Sequence, residues 1–247
     1  MNIFNSILLG VVQGLTEFLP VSSSAHLAIA QSLIPKFTQP GLLFDVVLHM
    51  GTTLAVLSYF RKDILKINLK EIFLLGIATI PAVVAGLLFR TIFESLFTNI
   101  HLIGVTLIFT GIMNFFVVKS LTTSTNIDWL DAILIGVAQA IAIIPGISRS
   151  GATIFTGVRL GLDRKRVAEF SFLMSVPAIV GANLLEVVSH RSELGRVDIS
   201  YLGGFLGAFI VGFLSIGFLM KIITHKKFLI FSVYCVILGI VTILLTK

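Results

Sequence analysis

This chain of 247 residues has little charge, a single cysteine and no long polar stretch. Asp, Glu, Lys and Arg make up 12% of it, against about 25% in soluble domains. With 56% hydrophobic residues and a mean hydropathy of +1.05, a water-soluble globular fold is excluded and an integral membrane protein is expected. Polar runs longer than a short loop are missing, so no separate soluble domain is expected and residues 1–247 are read as one membrane domain. The lone cysteine, Cys235, rules out an intramolecular disulfide and a thiolate metal cluster, and its apolar surroundings point to packing. The start has no basic segment followed by a small-residue cleavage site, so no signal peptide is expected. No group of His, Asp and Glu is dense enough for an all-protein metal cage. The formal net charge is +6. The basic residues fall between apolar runs, where chain orientation explains them, and nucleic acid is therefore rejected as a partner.

What is present is a series of apolar runs. A spanning helix needs about 20 apolar residues. Leu42–Phe60, Ile72–Phe89, Ile100–Val118, Val167–Val188, Ile199–Met220 and Phe228–Thr246 meet that need. Four shorter runs, Ile3–Leu19, Ser22–Ile34, Trp129–Ile144 and Ser148–Leu160, flank two interruptions at Pro20 and at Pro145-Gly146. Irregular backbone at membrane depth survives only inside protein or beside a water-filled cavity. These runs are accordingly read as two re-entrant helical hairpins. Pro81 and Pro177 lie inside spanning runs and are expected to kink them.

The two interruptions are copies of one device. Residues 10–26, Gly-Val-Val-Gln-Gly-Leu-Thr-Glu-Phe-Leu-Pro-Val-Ser-Ser-Ser-Ala-His, align without gaps on the stretch from Gly136 after a shift of 136 − 10 = 126. Gly10 then falls on Gly136, Gln13 on Gln139, Ser22 on Ser148 and Ser24 on Ser150. Each copy opens a half of the chain, approximately 1–122 and 127–247, built as one re-entrant hairpin and three crossings. Three crossings are an odd number, so the second half must be inverted relative to the first. The fold class expected is thus all-α, an inverted-topology repeat with six crossings and two re-entrant hairpins. The loops on one side hold Lys36, Arg90, Arg191, Arg196 and Lys247. The other side holds Arg61, Lys62, Lys66, Lys70, Lys119, Arg164, Lys165, Arg166, Lys221, Lys226 and Lys227. The richer side is expected to be cytoplasmic, which places both termini outside.

The polar residues of the two copies differ, and they carry the chemistry. Gln13 and Glu17 are four apart on one helix, as are Ser22 and His26, with Ser23 beside them, and Arg149 and Thr153. Ionisable groups in membrane segments are costly and are functional candidates by default. One reading is a buried ion pair, Glu17 with Arg149, that only holds the hairpins together. The other is a phosphate site. A serine cluster opening a helix after a break (Ser22, Ser23; Ser148, Ser150) offers hydroxyls and free backbone N–H groups to an anion. Arg149 adds a planar donor fork suited to phosphate oxygens. Glu17 and His26 are candidate acid, base or nucleophile groups beside it. Glu17 would repel a diphosphate unless protonated or bridged, which motivates a divalent cation, Mg or Ca, held jointly by Glu17 and the substrate diphosphate. Asp45, His49 and Thr53 share one helix face, read either as interhelical hydrogen bonding or as support for the site.

With these residues in view, the sequence resembles the undecaprenyl-diphosphatases, the bacitracin-resistance membrane proteins. The family's (E/Q)-x-x-x-E signature is Gln13-Gly14-Leu15-Thr16-Glu17 here, continuing through Phe18-Leu19-Pro20-Val21-Ser22-Ser23 to His26. Its P-G-x-S-R-S-x-x-T signature is Pro145 to Thr153, and Glu169-Phe170-Ser171-Phe172-Leu173 with Val176-Pro177 is similar as well. The likeness covers essentially the whole chain. It departs in the short loop between Phe60 and Ile72, where relatives often carry an insert. The resemblance implies a plasma-membrane hydrolase that takes the terminal phosphate from a C55 polyprenyl diphosphate at the outer face. The product monophosphate carrier would return to cell-envelope synthesis; the family also dimerises and is associated with divalent cations. It implies Glu17, Ser23, His26 and Arg149 as catalytic residues, and Gln13, Ser22, Ser148 and Thr153 around the substrate. Ser150 joins them from the serine cluster. The attacking group is expected to be Ser23, then His26, then water. The rival from another class is a polyprenyl-phosphate transporter, which would use the same anion site without needing Glu17 and His26 in reacting positions.

Overall fold

A computed structural model describes residues 2–34, 42–118, 124–189, 199–223 and 228–246. These described residues form twelve helices in order: α1 Ile3–Phe18, α2 Ser23–Leu33, α3 Leu42–Tyr59, α4 Arg61–Ile64, α5 Leu69–Leu88, α6 Arg90–Phe97, α7 Ile100–Val118, α8 Trp129–Ile141, α9 Arg149–Arg159, α10 Arg164–Ser189, α11 Ile199–Ile222 and α12 Leu229–Leu245. Among the described residues β-structure is confined to one isolated bridge, Ser124 with Leu162.

The helices start where the sequence supplies caps. Asn2 accepts from Phe4 N, Asn68 from Glu71 N, and Asp128 and Asp131 form a reciprocal capping box at the start of α8. These caps carry α5 three residues upstream of the apolar run that began at Ile72. Similarly, α10 begins at Arg164, three before Val167. Helices α4 and α6 were not expected; α6 packs against α5 and α7. Pro81 and Pro177 both lie within helices that run through them.

Helices α5, α7, α10 and α11 are long and apolar enough to cross a membrane; α1, α3, α8 and α12 are apolar but shorter. The surface agrees with lipid as the outer solvent. Ile80, Val84 and Leu87 on α5 are about half exposed, as are Leu206, Ile210, Leu214 and Phe218 on α11 and Ile230, Val233, Ile237 and Leu244 on α12. Water would not tolerate apolar stripes this long on a stable monomer. With the family shown below, the chain is a multi-pass membrane protein.

Without a hydrophobic force between helices, close approach of backbones drives association in lipid. Small residues supply it here. A Cβ added to Gly10 of α1 would come within 2.2 Å of the Gly204 carbonyl oxygen on α11. One added to Gly136 of α8 would come within 2.4 Å of the Ala78 carbonyl oxygen on α5. Helix α11 also packs on α3, α10 on α3 and α5, and α12 on α7. The largest buried cluster runs from Phe18 at the end of α1 to Phe172 on α10, whose rings meet edge to face at 5.4 Å. That contact sits beside the first interruption and ties it to the helix that follows the second hairpin.

Candidate active site

Each hairpin breaks where its helix loses a backbone donor or a permissible φ. After α1, Leu19 is extended and Pro20 cannot continue the ladder. Ser22 then takes φ +70°, the one non-glycine residue with positive φ among the described residues, and α2 starts at Ser23. After α8, Gly146 takes φ +90°, a conformation glycine adopts without cost. Ser148 then caps α9, its Oγ accepting from Gly151 N at 3.1 Å.

The two breaks meet. The Arg149 Nη2 donates to Glu17 Oε1 at 2.7 Å, joining the start of α9 to the end of α1. The Glu17 side chain is 6% exposed and that of Arg149 is 16% exposed, so the pair is largely shielded but reachable. The other carboxylate oxygen, Oε2, accepts from Ser23 Oγ at 2.7 Å and from Gln13 Nε2 at 3.0 Å. Arg149 Nη1 donates to the Ser171 carbonyl oxygen on α10 at 3.2 Å. One carboxylate thus holds a serine hydroxyl on one oxygen and a guanidinium on the other. That is the arrangement of a hydroxyl nucleophile beside a base, with a fixed positive fork facing it.

The remaining serines bind the breaks to each other. Ser150 Oγ donates to the Leu19 carbonyl oxygen at 3.2 Å, and Ser24 Oγ accepts from Gly146 N at 3.4 Å. Ser22 pairs with Ser24, and Ser148 with Ser150. Thr153 is fully buried; its hydroxyl lies 2.6 Å from Ser171 Oγ and donates within its own helix. His26 stands apart from Glu17. Its Nδ1 donates to the Ser22 carbonyl oxygen at 2.7 Å, which leaves Nε2 to accept from the Tyr234 hydroxyl, also at 2.7 Å. The two rings stack at 5.6 Å.

Of the residues that shape this centre, sequence reasoning offered His49 only as one of two readings of a helix face and did not place Ser171, Thr110, Asn114 or Tyr234. His49 Nε2 is 4.0 Å from Glu17 Oε2; its spacing with Asp45 and Thr53 was the available signal, and its Nδ1 is held by the Asp45 carbonyl oxygen at 2.9 Å. Ser171 sits within the Glu169–Leu173 stretch. Thr110, Asn114 and Tyr234 had no signal, because single polar residues in apolar runs look alike in sequence. Cys235, expected only to pack, is buried with its sulfur 3.7 Å from the Pro20 carbonyl oxygen. Among the described residues no three His, Cys, Asp or Glu side chains cluster as a metal cage. A cation held by Glu17 would therefore need phosphate oxygens to complete its shell.

The family model for bacitracin resistance protein BacA matches residues 6–241. The chain belongs to that family. It is 42% identical to the undecaprenyl-diphosphatase of Syntrophotalea carbinolica, covering 97% of both chains. It is 41% identical to that of Desulforudis audaxviator and 40% identical to that of Christiangramia forsetii, in each case over 99% of this chain and 98% of the relative. The match spans both hairpins, so family membership covers the whole constellation of Glu17, Ser23 and Arg149.

Proposed function

We propose that this chain is a membrane phosphatase that hydrolyses a C55 polyprenyl diphosphate to the monophosphate carrier and phosphate, returning the carrier to cell-envelope synthesis. The observation that carries the reading is the single carboxylate of Glu17 joining Ser23 to Arg149 across the two breaks. Names of relatives at about 40% identity over nearly full length support the substrate class.

The chemistry follows from that contact. Arg149, Ser148 and the first backbone N–H groups of α9 hold the phosphate oxygens and stabilise charge as it develops. Glu17 takes the proton of Ser23 as its Oγ bonds to the terminal phosphorus. The bridging P–O bond breaks, and the lipid monophosphate leaves. Water then cleaves the serine–phosphate bond and releases phosphate. Ser23 is preferred to His26 as nucleophile because it already bonds the base, whereas both His26 nitrogens are engaged elsewhere. Gln13 orients Glu17, and Ser22, Ser150 and Thr153 hold the breaks around the diphosphate. A divalent cation shared between Glu17 and the diphosphate would offset the repulsion between them.

The same proposal includes an inverted repeat of residues approximately 1–122 and 127–247 with six crossings. Its support is a reciprocal pair of close approaches. Gly10 meets Gly204 and Gly136 meets Ala78, and both 136 − 10 and 204 − 78 equal 126. An exchange of partners at one constant shift is what two interlocked copies would produce. The basic-residue asymmetry supports an outward position for both termini, and an outer-face mouth for the site rests on the family resemblance.

The deciding experiment is phosphate release from polyprenyl diphosphate by purified protein in detergent, with and without a chelator. No membrane remains to be crossed, so a transporter would release nothing. Steady release that falls on chelation is expected; its absence in folded protein would sink the hydrolase reading. Cysteines introduced after residue 246 should react with an impermeant reagent in intact cells, and protection there would reverse the orientation.

A further inference from the structure

Helix α7 carries a polar row in an otherwise apolar span: Thr106, Thr110 and Asn114, four residues apart on one face. All three bond to the breaks. Thr106 Oγ1 lies 2.6 Å from the Pro145 carbonyl oxygen, closer than its own helix carbonyls at 3.0 Å. Thr110 Oγ1 donates to the Gly146 carbonyl oxygen at 2.9 Å and accepts from Ser148 N at 3.0 Å. Asn114 Nδ2 donates to the Pro20 carbonyl oxygen at 2.6 Å. So the row grips the second break with its first two members and the first break with its third.

Two observations separate this row from ordinary helix packing. The site's breaks are duplicated but the row is not: 126 residues on, α12 carries Ser232, Val236 and Ile240, two of which have no polar side-chain atom. And Asn114 is fully buried with its Oδ1 left without a hydrogen-bond partner, beside Gly151 at the start of α9. A buried orphan acceptor is a poor choice for stability alone.

Resting on the phosphatase reading, we infer that Thr110 and Asn114 are positioning residues that set the register between the two breaks, and with it the spacing of Glu17 from Arg149. Thr110 fixes the two peptides on either side of Ile147, which lead into Arg149 by way of Ser148. Asn114 fixes the carbonyl between Glu17 and Ser23. Neither touches the reacting atoms.

The test compares Thr110→Val, Thr110→Ser and Asn114→Leu with Ser232→Ala, whose buried hydroxyl bonds the Gly111 carbonyl oxygen of α7 away from the breaks. Per folded molecule in detergent, Thr110→Val and Asn114→Leu should lose about 10²-fold in kcat, the scale of a misplacement near 1 Å, with KM little changed. Thr110→Ser should restore kcat, and Ser232→Ala should lower the melting temperature while leaving kcat intact. Wild-type kcat in Thr110→Val, no rescue by serine, or an equal kcat loss in Ser232→Ala would overturn the inference. If Thr110→Val does not fold, Asn114→Leu is judged by the same kcat; if neither folds, the row is structural and the inference fails. Absence of phosphate release from the wild type would fail the phosphatase reading instead. The positioning role would then be decided by inorganic diphosphate, which should raise the melting temperature of wild type and Thr110→Ser but not of Thr110→Val.

Discussion

The two breaks descend from the same sequence pattern yet are built differently. The second is relaxed: glycine occupies the positive-φ position and Ser148 caps the following helix. The first is strained: Ser22 stands at φ +70°, and its side chain makes no cap bond to α2. Strain of this kind costs on the order of 1–3 kcal/mol and persists only where the surroundings over-determine it. Here the surroundings are Ser24, His26 and the Pro20 carbonyl, which both Asn114 and Cys235 hold. The relaxed break supplies the cation, Arg149. The strained break supplies Glu17, Ser23 and His26. Two copies of one sequence pattern thus carry different polar groups, and the strain sits on the side that holds Glu17 and Ser23.

The largest expected effect tests whether the contact between them is chemical or only structural. In the chemical case, Glu17→Gln and Arg149→Lys each leave extractable, folded protein with phosphate release reduced by at least ~10²-fold, since a point charge does not reproduce the guanidinium fork. In the structural case, each single change costs about 3–5 kcal/mol and the double change Glu17→Gln with Arg149→Met restores folding. Thermal unfolding and phosphate assays on the same preparations separate the two, and near-normal turnover in folded Arg149→Ala would move the site elsewhere.

Next is Gly146→Ala. A Cβ there would lie 1.9 Å from Thr106 Oγ1 and 2.8 Å from the Ile103 carbonyl oxygen, at a φ that disfavours alanine. Strain and overpacking together should cost about 2–4 kcal/mol, seen as a fall in melting temperature. A neutral result would mean that the second break does not depend on its approach to α7.

Ser148→Ala removes a helix cap and should cost about 1 kcal/mol. A loss of several kcal/mol would show that the serine does more than cap. Ser22→Gly should have the smallest effect on stability. Relief of the left-handed backbone, about 1–2 kcal/mol, is offset by the added freedom of glycine in the unfolded chain, about 0.4–1 kcal/mol, and by loss of the Ser24 contact. A net change below about 1 kcal/mol is expected. A destabilisation as large as that of Gly146→Ala would erase the contrast between the breaks.

By itself the sequence determined the membrane character, the apolar runs, the two breaks and the residues at them. Each of these follows from local chemistry: mean hydropathy, proline and glycine placement, and ionisable groups where they are expensive. The four apolar runs that became α5, α7, α10 and α11 were legible for the same reason, with the cap at Asn68 fixing the start of α5 that hydropathy alone put at Ile72. Tertiary structure decided everything that depends on which helix faces which. That Glu17 meets Arg149 across 132 residues, that Ser23 and not His26 bonds the carboxylate, that His49 stands beside it and that Tyr234 holds His26 all follow from packing. So does the grip of Thr106, Thr110 and Asn114 on the breaks. The reason is physical: an i, i+4 pattern says which side chains share a face, but in lipid every face is apolar. The partner of a given face is set by where small residues such as Gly10 and Gly136 let two backbones touch.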